Sequence, residues 1–235
     1  MKTIAILLST LLISILIVLT IPLFNITTIN FSQKLLYVDN QKFDTYLNTL
    51  KNQNIFNVLF FKDTHATLQL FPEIDSIDIT RKGFNTLTIT VNERKAWISC
   101  IIDGESFFID RNGVILKQNN ILTDLKTEDV FIVKGLSIND ISENKIKSKT
   151  LKSLMLLKNT FDNYLPERSL LIEKTAMSSW NLIIDDNLTV LFGELDNVDT
   201  KFKRLLYFLN TTNKNKRIDY IDCRINNKLL VSYAK

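Results

Sequence analysis

The chain has 235 residues, of which 46% are hydrophobic and 23% charged, and its net charge is +4 at pH 7. Its 5 glycines and 3 prolines exclude a collagen-like or proline-rich chain, and 29 basic against 25 acidic residues lack the excess of a dedicated nucleic-acid binder. The length suffices for one large domain or two small ones.

An uncharged segment, residues 4–24, stands near the start of the chain. About 21 residues rise about 30 Å as a helix, enough to cross the hydrocarbon core of a bilayer. The segment therefore predicts a transmembrane helix behind a short cytoplasmic tail, residues 1–3. A cleaved signal peptide is the alternative, but its apolar core is usually about 7–15 residues, and residues 21–25 make a poor cleavage site.

The next segment predicts a small α/β module. Residues 35–38 are an apolar run typical of a strand, and Asp39 can cap a following helix. That helix has one apolar face, formed by Phe43, Tyr46, Leu47 and Leu50. A shorter helix is predicted to start near residue 63 or 64 and to end before Pro72. Alternating residues then predict a β-hairpin over 76–92, so the order is strand, helix, helix, strand, strand.

The rest of the chain reads as a larger module rich in strands. Strands are predicted at 96–102, 106–109, 130–133, 170–172, 180–184, 188–192, 218–225 and 229–233, with a turn at 226–227. Amphipathic helices are predicted around 151–161 and 202–209, and residues 137–149 read as a polar loop. The sequence as a whole predicts an α+β fold.

Residues able to carry reaction chemistry are scarce. His65 is the only histidine, which excludes a multi-histidine metal site, and no Gly-x-Ser-x-Gly turn or phosphate-binding glycine loop is present. Asp103 and Asp110 stand in turn motifs and are interpreted as turn residues, not as a catalytic pair. We therefore expect no enzyme activity, no metal and no cofactor. An exported hydrolase is the alternative.

The two cysteines, Cys100 and Cys223, lie far apart and have no Cys-x-x-Cys partner, which excludes a structural zinc site. Two buried free thiols are the favoured interpretation. A disulfide stays open if the domain is exported, provided that the two Cα atoms lie within about 7 Å.

Several motifs resemble one known family. The runs Phe71-Pro72-Glu73-Ile74-x-x-Ile77-x-Ile79-x-Arg81 and Asn85-Thr86-Leu87-Thr88-Ile89-x-Val91-x-Glu93-Arg94 resemble the POTRA domain of the FtsQ/DivIB family of bacterial cell-division proteins. Four further motifs are similar to the C-terminal region of that family: Trp180-x-Leu182, Leu191-Phe192-Gly193, Lys201 with Leu205, and Tyr220-Ile221-Asp222-x-Arg224. The resemblance implies a POTRA-like β-α-α-β-β domain over residues 30–94 and a larger C-terminal β domain over residues 95–235.

The resemblance also implies a function. It implies a non-enzymatic single-pass protein of the cytoplasmic membrane, held in the bilayer by residues 4–24, with its C-terminal domains outside the cytosol at the division septum. Such a protein links early and late components of the divisome and coordinates septal wall synthesis, without binding nucleic acid. A POTRA-containing envelope export or assembly factor is the alternative.

The expected partners are bitopic division proteins like FtsB and FtsL. If the last strand lies at a sheet edge, its backbone can pair with a strand of the partner. The partner-binding residues implied by the resemblance are Tyr220, Asp222, Arg224, Ile225, Leu229, Val231 and Tyr233. Without the resemblance, Arg224 would be interpreted as one member of an exposed salt bridge. The edge near residues 74–81 is expected to supply a second contact, and Tyr233→Ala and Arg224→Glu are expected to weaken partner binding.

Overall fold

The computed structural model describes Ile4 and residues 8–11, 22–61, 64–117, 130–175, 179–212, 217–225 and 228–234. They form two compact units that meet in sequence between Arg94 and Lys95. In these ranges we find no helix with the length and hydrophobicity that a membrane span requires. Most of the predicted anchor, residues 4–24, lies outside the described residues, and the anchor stays a prediction. The predicted turn at 226–227 also lies outside them.

The first unit packs short helices against a small sheet. Its elements are a 3-10 helix (Pro22–Phe24), β1 (Thr28–Asn30), α1 (Asn40–Leu50), α2 (Ile55–Phe61), α3 (Thr64–Leu70), β2 (Ile74–Lys82) and β3 (Thr86–Glu93). The strand order is β1-β3-β2, with β1 parallel and β2 antiparallel to β3. The long strand β2 therefore lies at one edge of this sheet.

Helix α1 confirms the prediction from sequence periodicity. Asp39 caps it, because one carboxylate oxygen accepts from the backbone N–H groups of Gln41 and Lys42 at 2.9 and 3.2 Å. The residues predicted to share its apolar face are the ones that it buries: Phe43, Tyr46, Leu47 and Leu50. The predicted hairpin is also present as β2 and β3.

The prediction of a strand at residues 35–38 is wrong, since the first strand is β1. The backbone N–H groups of Leu36, Tyr37 and Val38 donate to the carboxylate of Glu93 at 2.7, 2.7 and 3.0 Å. Because a side chain accepts these hydrogen bonds, the segment needs no neighbouring strand. Its apolar character reflects burial in the core, where Val38 is fully buried.

The first unit also has one helix more than the two predicted. Helix α2 follows directly on Asn54, whose side-chain oxygen accepts from the backbone N–H of Phe56 at 2.9 Å. Ile55 and Val58 on this helix are buried. The run is apolar nearly throughout, so it shows little of the periodicity that marks an amphipathic helix.

The second unit is built on a large mixed sheet. In chain order the strands are β4 (Ile98–Ile102), β5 (Glu105–Ile109), β6 (Ile115–Leu116), β7 (Phe131–Lys134), β8 (Ile141–Ser142), β9 (Lys145–Ile146), β10 (Leu170–Lys174), β11 (Trp180–Ile184), β12 (Leu188–Gly193), β13 (Ile218–Asp222) and β14 (Leu230–Tyr233). As far as the chain is described, nine of them form one sheet in the order β14-β13-β12-β11-β10-β7-β4-β5-β6. Strands β8 and β9 form a separate hairpin in the segment predicted as a loop, after a 3-10 helix (Ile138–Asp140).

Two helices, α4 (Ser148–Tyr164) and α5 (Val198–Thr211), share one hydrophobic core with this sheet. Phe161 of α4 meets Phe202 of α5 edge to face, with ring centroids 6.3 Å apart, and Phe192 of β12 lies 5.1 Å from Phe202. All three rings are almost completely buried. The predicted α+β class is confirmed in these two units.

Candidate partner-binding site

The last strand lies at the open end of the large sheet. Among the described strands, β14 pairs only with β13, in an antiparallel register that places Val231 opposite Ile221 and Leu230 opposite Asp222. The N–H of Ala234 continues this pairing, since it donates to the carbonyl of Arg217 at 3.0 Å. The opposite flank of β14 has no strand neighbour in the described part of the chain, so its backbone can pair with another strand.

The two faces of β14 have different roles. Leu229 and Val231 pack against the core cluster that contains the fully buried Ile221. Leu230 points to the other face and is 50% exposed. The sequence prediction included Leu229 and Val231 and omitted Leu230. Strand alternation by itself could have separated these two sets, but only burial shows which set faces outward.

The outer face brings residues of β13 and β14 together. Tyr220 lies opposite Ser232 and Asp222 lies opposite Leu230, so Tyr220, Asp222 and Leu230 share this face. Tyr220 is 38% exposed. The strand predicted over residues 218–225 ends at Asp222, so Ile225 lies beyond it; Ile225 and Tyr233, the last residue of β14, are each 42% exposed. The site thus offers aromatic and aliphatic surface beside an open strand flank.

Asp222 and Arg224 form a two-pronged ion pair. The guanidinium donates from Nε to Oδ1 at 3.0 Å and from Nη2 to Oδ2 at 2.6 Å, and the backbone N–H of Arg224 donates to Oδ1 at 2.9 Å. Asp222 is buried, whereas Arg224 is exposed. Such bidentate geometry holds the guanidinium in one orientation, so Arg224 is both a structural partner of Asp222 and a surface cation.

Gly193 allows Arg224 to lie in this position. Its φ is +75°, and a Cβ placed on it would lie 2.7 Å from Cγ of Arg224. The left-handed backbone favours glycine, and the close approach excludes a side chain. Two motifs that the sequence presented separately, Leu191-Phe192-Gly193 and Asp222-x-Arg224, are therefore in contact.

A third motif residue, Lys201 of α5, holds the end of β12. Its buried ammonium group donates to the carbonyls of Phe192 and Glu194 at 3.2 and 2.8 Å and to the carboxylate of Asp196 at 2.6 Å. A buried cation is costly without such partners. Lys201 therefore joins α5 to the end of β12, the strand beside β13.

The Asp222–Arg224 pair predicts a dependence of stability on pH. The hydrogen bonds from Arg224 lower the pKa of Asp222 and outweigh burial, which alone would raise it. A carboxyl with a lowered folded-state pKa contributes stability above its unfolded pKa, and this contribution is lost as the pH falls below about 4. We expect Arg224→Gln to lower the free energy of unfolding at pH 7. The deficit, which is the difference in this free energy between the unmodified protein and the variant, should become smaller as the pH falls below about 4.

Urea unfolding of both proteins across this pH range measures the deficit. The control is Arg168→Gln, which breaks a more exposed ion pair between Arg168 and Asp185, 2.9 Å apart, and should have a small effect at every pH. A deficit for Arg224→Gln that is the same at pH 7 and at low pH would contradict the assignment.

The two thiols are structural. Cys100 and Cys223 are buried and free, so the structure excludes a disulfide between them. Burial raises the pKa of Cys100 to about 11 and that of Cys223 to about 12, which keeps both protonated at neutral pH. Within the described ranges, no three His, Cys, Asp or Glu residues are grouped to hold a metal ion.

Comparison with known proteins finds a matching family and relatives over much of the chain. A family model described as "Cell division protein FtsQ/DivIB, C-terminal" matches residues 101–224. The chain is also similar to cell division protein DivIB of Clostridium botulinum (strain Hall), with 26% identity over 210 residues, 87% of this chain and 80% of that protein. DivIB of Clostridium acetobutylicum is 33% identical over 154 residues, 57% of this chain and 59% of that protein.

These matches define the class: a cell-division protein. The chain belongs to the FtsQ/DivIB family, as its motifs predicted, because the family model covers more than half of it. No catalytic activity is indicated for this family. The matched range includes Gly193, Lys201 and the Asp222–Arg224 pair and ends before β14. The names of the relatives favour a role in cell division over the alternative of an export factor.

Proposed function

We propose that this chain is a non-enzymatic single-pass membrane protein of the division septum that binds FtsB/FtsL-like partners through its last strands. It links early and late components of the divisome and so coordinates septal wall synthesis. The observation that carries this proposal is the position of β14 at the open end of the large sheet. A strand of the partner would extend the sheet there by backbone hydrogen bonds.

Side chains around β14 would choose the partner. Leu230 and Tyr220 offer apolar and aromatic surface on the outer face. Tyr233, the last residue of β14, and Ile225, beyond the end of β13, add further exposed surface. Arg224 adds a positive charge in a fixed orientation, held by Asp222. Leu229 and Val231 would act indirectly, because their packing on the core keeps β14 in place.

The N-terminal segment would hold the protein in the bilayer with its N-terminus in the cytoplasm. Residues 4–24 carry no charge. Of the described residues in this segment, Ile4, Leu8 and Leu11 expose 63%, 62% and 59% of their surface. Apolar side chains in such a segment are suited to lipid, and both folded units would then lie outside the cytosol.

The first unit would supply the second partner contact. Strand β2 is at the edge of its sheet, and its nine residues, Ile74–Lys82, are long enough to pair with an extended segment. This unit would correspond to the POTRA-like domain, since the Glu93-Arg94 motif closes it: Nε of Arg94 donates to the carbonyl of Pro72 at 2.7 Å.

We expect Tyr233→Ala to weaken binding of the FtsB-like partner about 30-fold, equivalent to about 2 kcal/mol, because interface aromatics often dominate the binding energy. The measurement is a calorimetric titration of the full chain in lipid nanodiscs with the partner's extracytoplasmic segment. The matched control is Tyr207→Ala on α5, which removes a tyrosine that is 72% exposed and far in sequence from the site. Equal affinities of the two variants would contradict the proposed site.

Strand addition itself is tested by amide hydrogen exchange. Binding should slow exchange in residues 230–233 and in β13, whereas a contact through side chains alone would leave β14 unprotected. Arg224→Glu, expected from the sequence to weaken binding, is a less suitable variant, because it would place a second carboxylate beside the buried Asp222.

A further inference from the structure

A cluster of half-buried and exposed aromatic side chains lies where the N-terminal segment enters the first unit. Phe24 packs against Phe56 and Phe84, with ring centroids 5.2 and 6.2 Å apart. Phe56 stacks on Phe60 at 6.2 Å. Phe60 is 73% exposed and Phe84 is 62% exposed, whereas Phe24 and Phe56 are half-buried and pack on the core beneath them.

The cluster lies on a buried hydrophobic group of the first unit. Ile55 and Val58, on the inner side of α2, are buried in one hydrophobic group with Ile26 and Leu87. Phe56 and Phe60 are thus carried by a helix whose inner side packs on the sheet, and Phe84 by the turn between β2 and β3. Leu23, which precedes Phe24 in the chain, is 65% exposed and presents an aliphatic side chain to solvent.

Basic side chains border the rings. The guanidinium of Arg81 lies 5.0 Å from the ring centroid of Phe56 and 5.6 Å from that of Phe84. Lys82 follows and is exposed. Exposed aromatic rings beside Arg and Lys match the interfacial zone of a phospholipid bilayer, where rings lie at the level of the headgroups and cations meet the phosphates.

The path of the chain identifies the bilayer as the occupant. The uncharged residues 4–21 lead directly into Pro22–Phe24, and Phe24 is itself part of the cluster. Since consecutive Cα atoms are about 3.8 Å apart, the cluster begins within a few residues of the end of an anchor. We infer that Leu23, Phe24, Phe56, Phe60 and Phe84 form a membrane-contact surface that seats the first unit in the lipid headgroup zone. This inference rests on the proposed anchor.

The test uses the full chain in vesicles of phosphatidylcholine and phosphatidylglycerol. A fluorophore is attached to Asn57→Cys, an exposed position on α2 between Phe56 and Phe60, so that all five residues of this surface are kept. Labelling is selective, because the native thiols are buried and have raised pKa values of about 11 and 12. The readout is quenching by lipids that carry a spin label near the headgroup.

Two further label positions serve as controls. Asp44→Cys lies on the exposed side of α1, whose buried side belongs to a different hydrophobic cluster. Thr10→Cys lies within the predicted membrane span. We expect quenching at position 57 to be several-fold stronger than at position 44, and the added changes Phe60→Ser and Phe84→Ser to reduce it to the level of position 44.

The outcomes separate the inference from the anchor. Quenching at position 10 together with equal quenching at positions 57 and 44 would overturn the membrane-contact surface and leave the anchor intact. Quenching at position 57 that is unchanged by Phe60→Ser and Phe84→Ser would also overturn the membrane-contact surface, because the rings would then not determine the contact with lipid. Absence of quenching at position 10 would overturn the anchor, and the inference with it.

Discussion

Gly135→Ala is expected to lower the free energy of unfolding of the second unit by about 4 kcal/mol, since it combines left-handed backbone with a steric clash. Gly135 has a φ of +76°, and a Cβ placed on it would lie 2.0 Å from the carbonyl oxygen of Lys174. The carbonyl oxygen is a backbone atom and a Cβ is fixed to the backbone, so no side-chain rotation can relieve this contact. Strands β7 and β10, which pair in parallel just before this point, would have to separate.

The substitution would also disturb a buried ion pair between Lys174 and Asp140. Nζ of Lys174 lies 2.5 Å from the carboxylate of Asp140, which also accepts from the hydroxyl of Thr150 at 3.0 Å. Burial alone would raise the pKa of Asp140, but hydrogen bonds from Lys174, Ser137 and Thr150 outweigh it and the pKa is lowered. Displacing Lys174 would leave this carboxylate without its cation.

Gly104→Ala is the matched control for this prediction. Gly104 also has a positive φ, +86°, but a Cβ there meets nothing within 4 Å. It should therefore cost only the backbone strain, about 1–2 kcal/mol. Urea unfolding, followed by the fluorescence of the buried Trp97 and Trp180, measures both variants. Equal decreases in the free energy of unfolding of the two variants would show that the close approach of Gly135 to Lys174 does not contribute to the effect.

Glu93→Gln is expected to lower the free energy of unfolding of the first unit by about 3 kcal/mol, because hydrogen bonds to a charged acceptor are stronger than neutral ones. The Glu93 carboxylate accepts from three backbone N–H groups, on Leu36, Tyr37 and Val38. Glutamine offers one acceptor oxygen, and its amide group would turn N–H bonds toward these donors. The segment would lose its main attachment to β3.

Amide hydrogen exchange at residues 36–38 measures this effect directly, and urea unfolding gives its size. Asp78→Asn is the control, since it removes one negative charge from an exposed position of the same sheet. We expect fast exchange at residues 36–38 only in Glu93→Gln. Unchanged protection there would mean that another group accepts these hydrogen bonds.

Local patterns determined much of the secondary structure. Helix α1 and the β2–β3 hairpin follow from periodicity and from caps and turns only a few residues away, so the sequence alone predicted them. The motifs also identified the family, because Gly193, Lys201, Asp222 and Arg224 are residue types whose contacts tolerate few replacements.

Tertiary structure decided what depends on distant partners. Residues 35–38 look like a strand by composition, but their N–H groups bind Glu93, which no local pattern reveals. Alternation identified β14 as a strand without showing that it ends the sheet or that Leu230 faces outward. The first fact follows from the parallel pairing of β12 with β13, which places the last two strands at one side. The second follows from the packing of Leu229 and Val231 on the core. Sheet order arises from packing across the whole unit, which local periodicity cannot report.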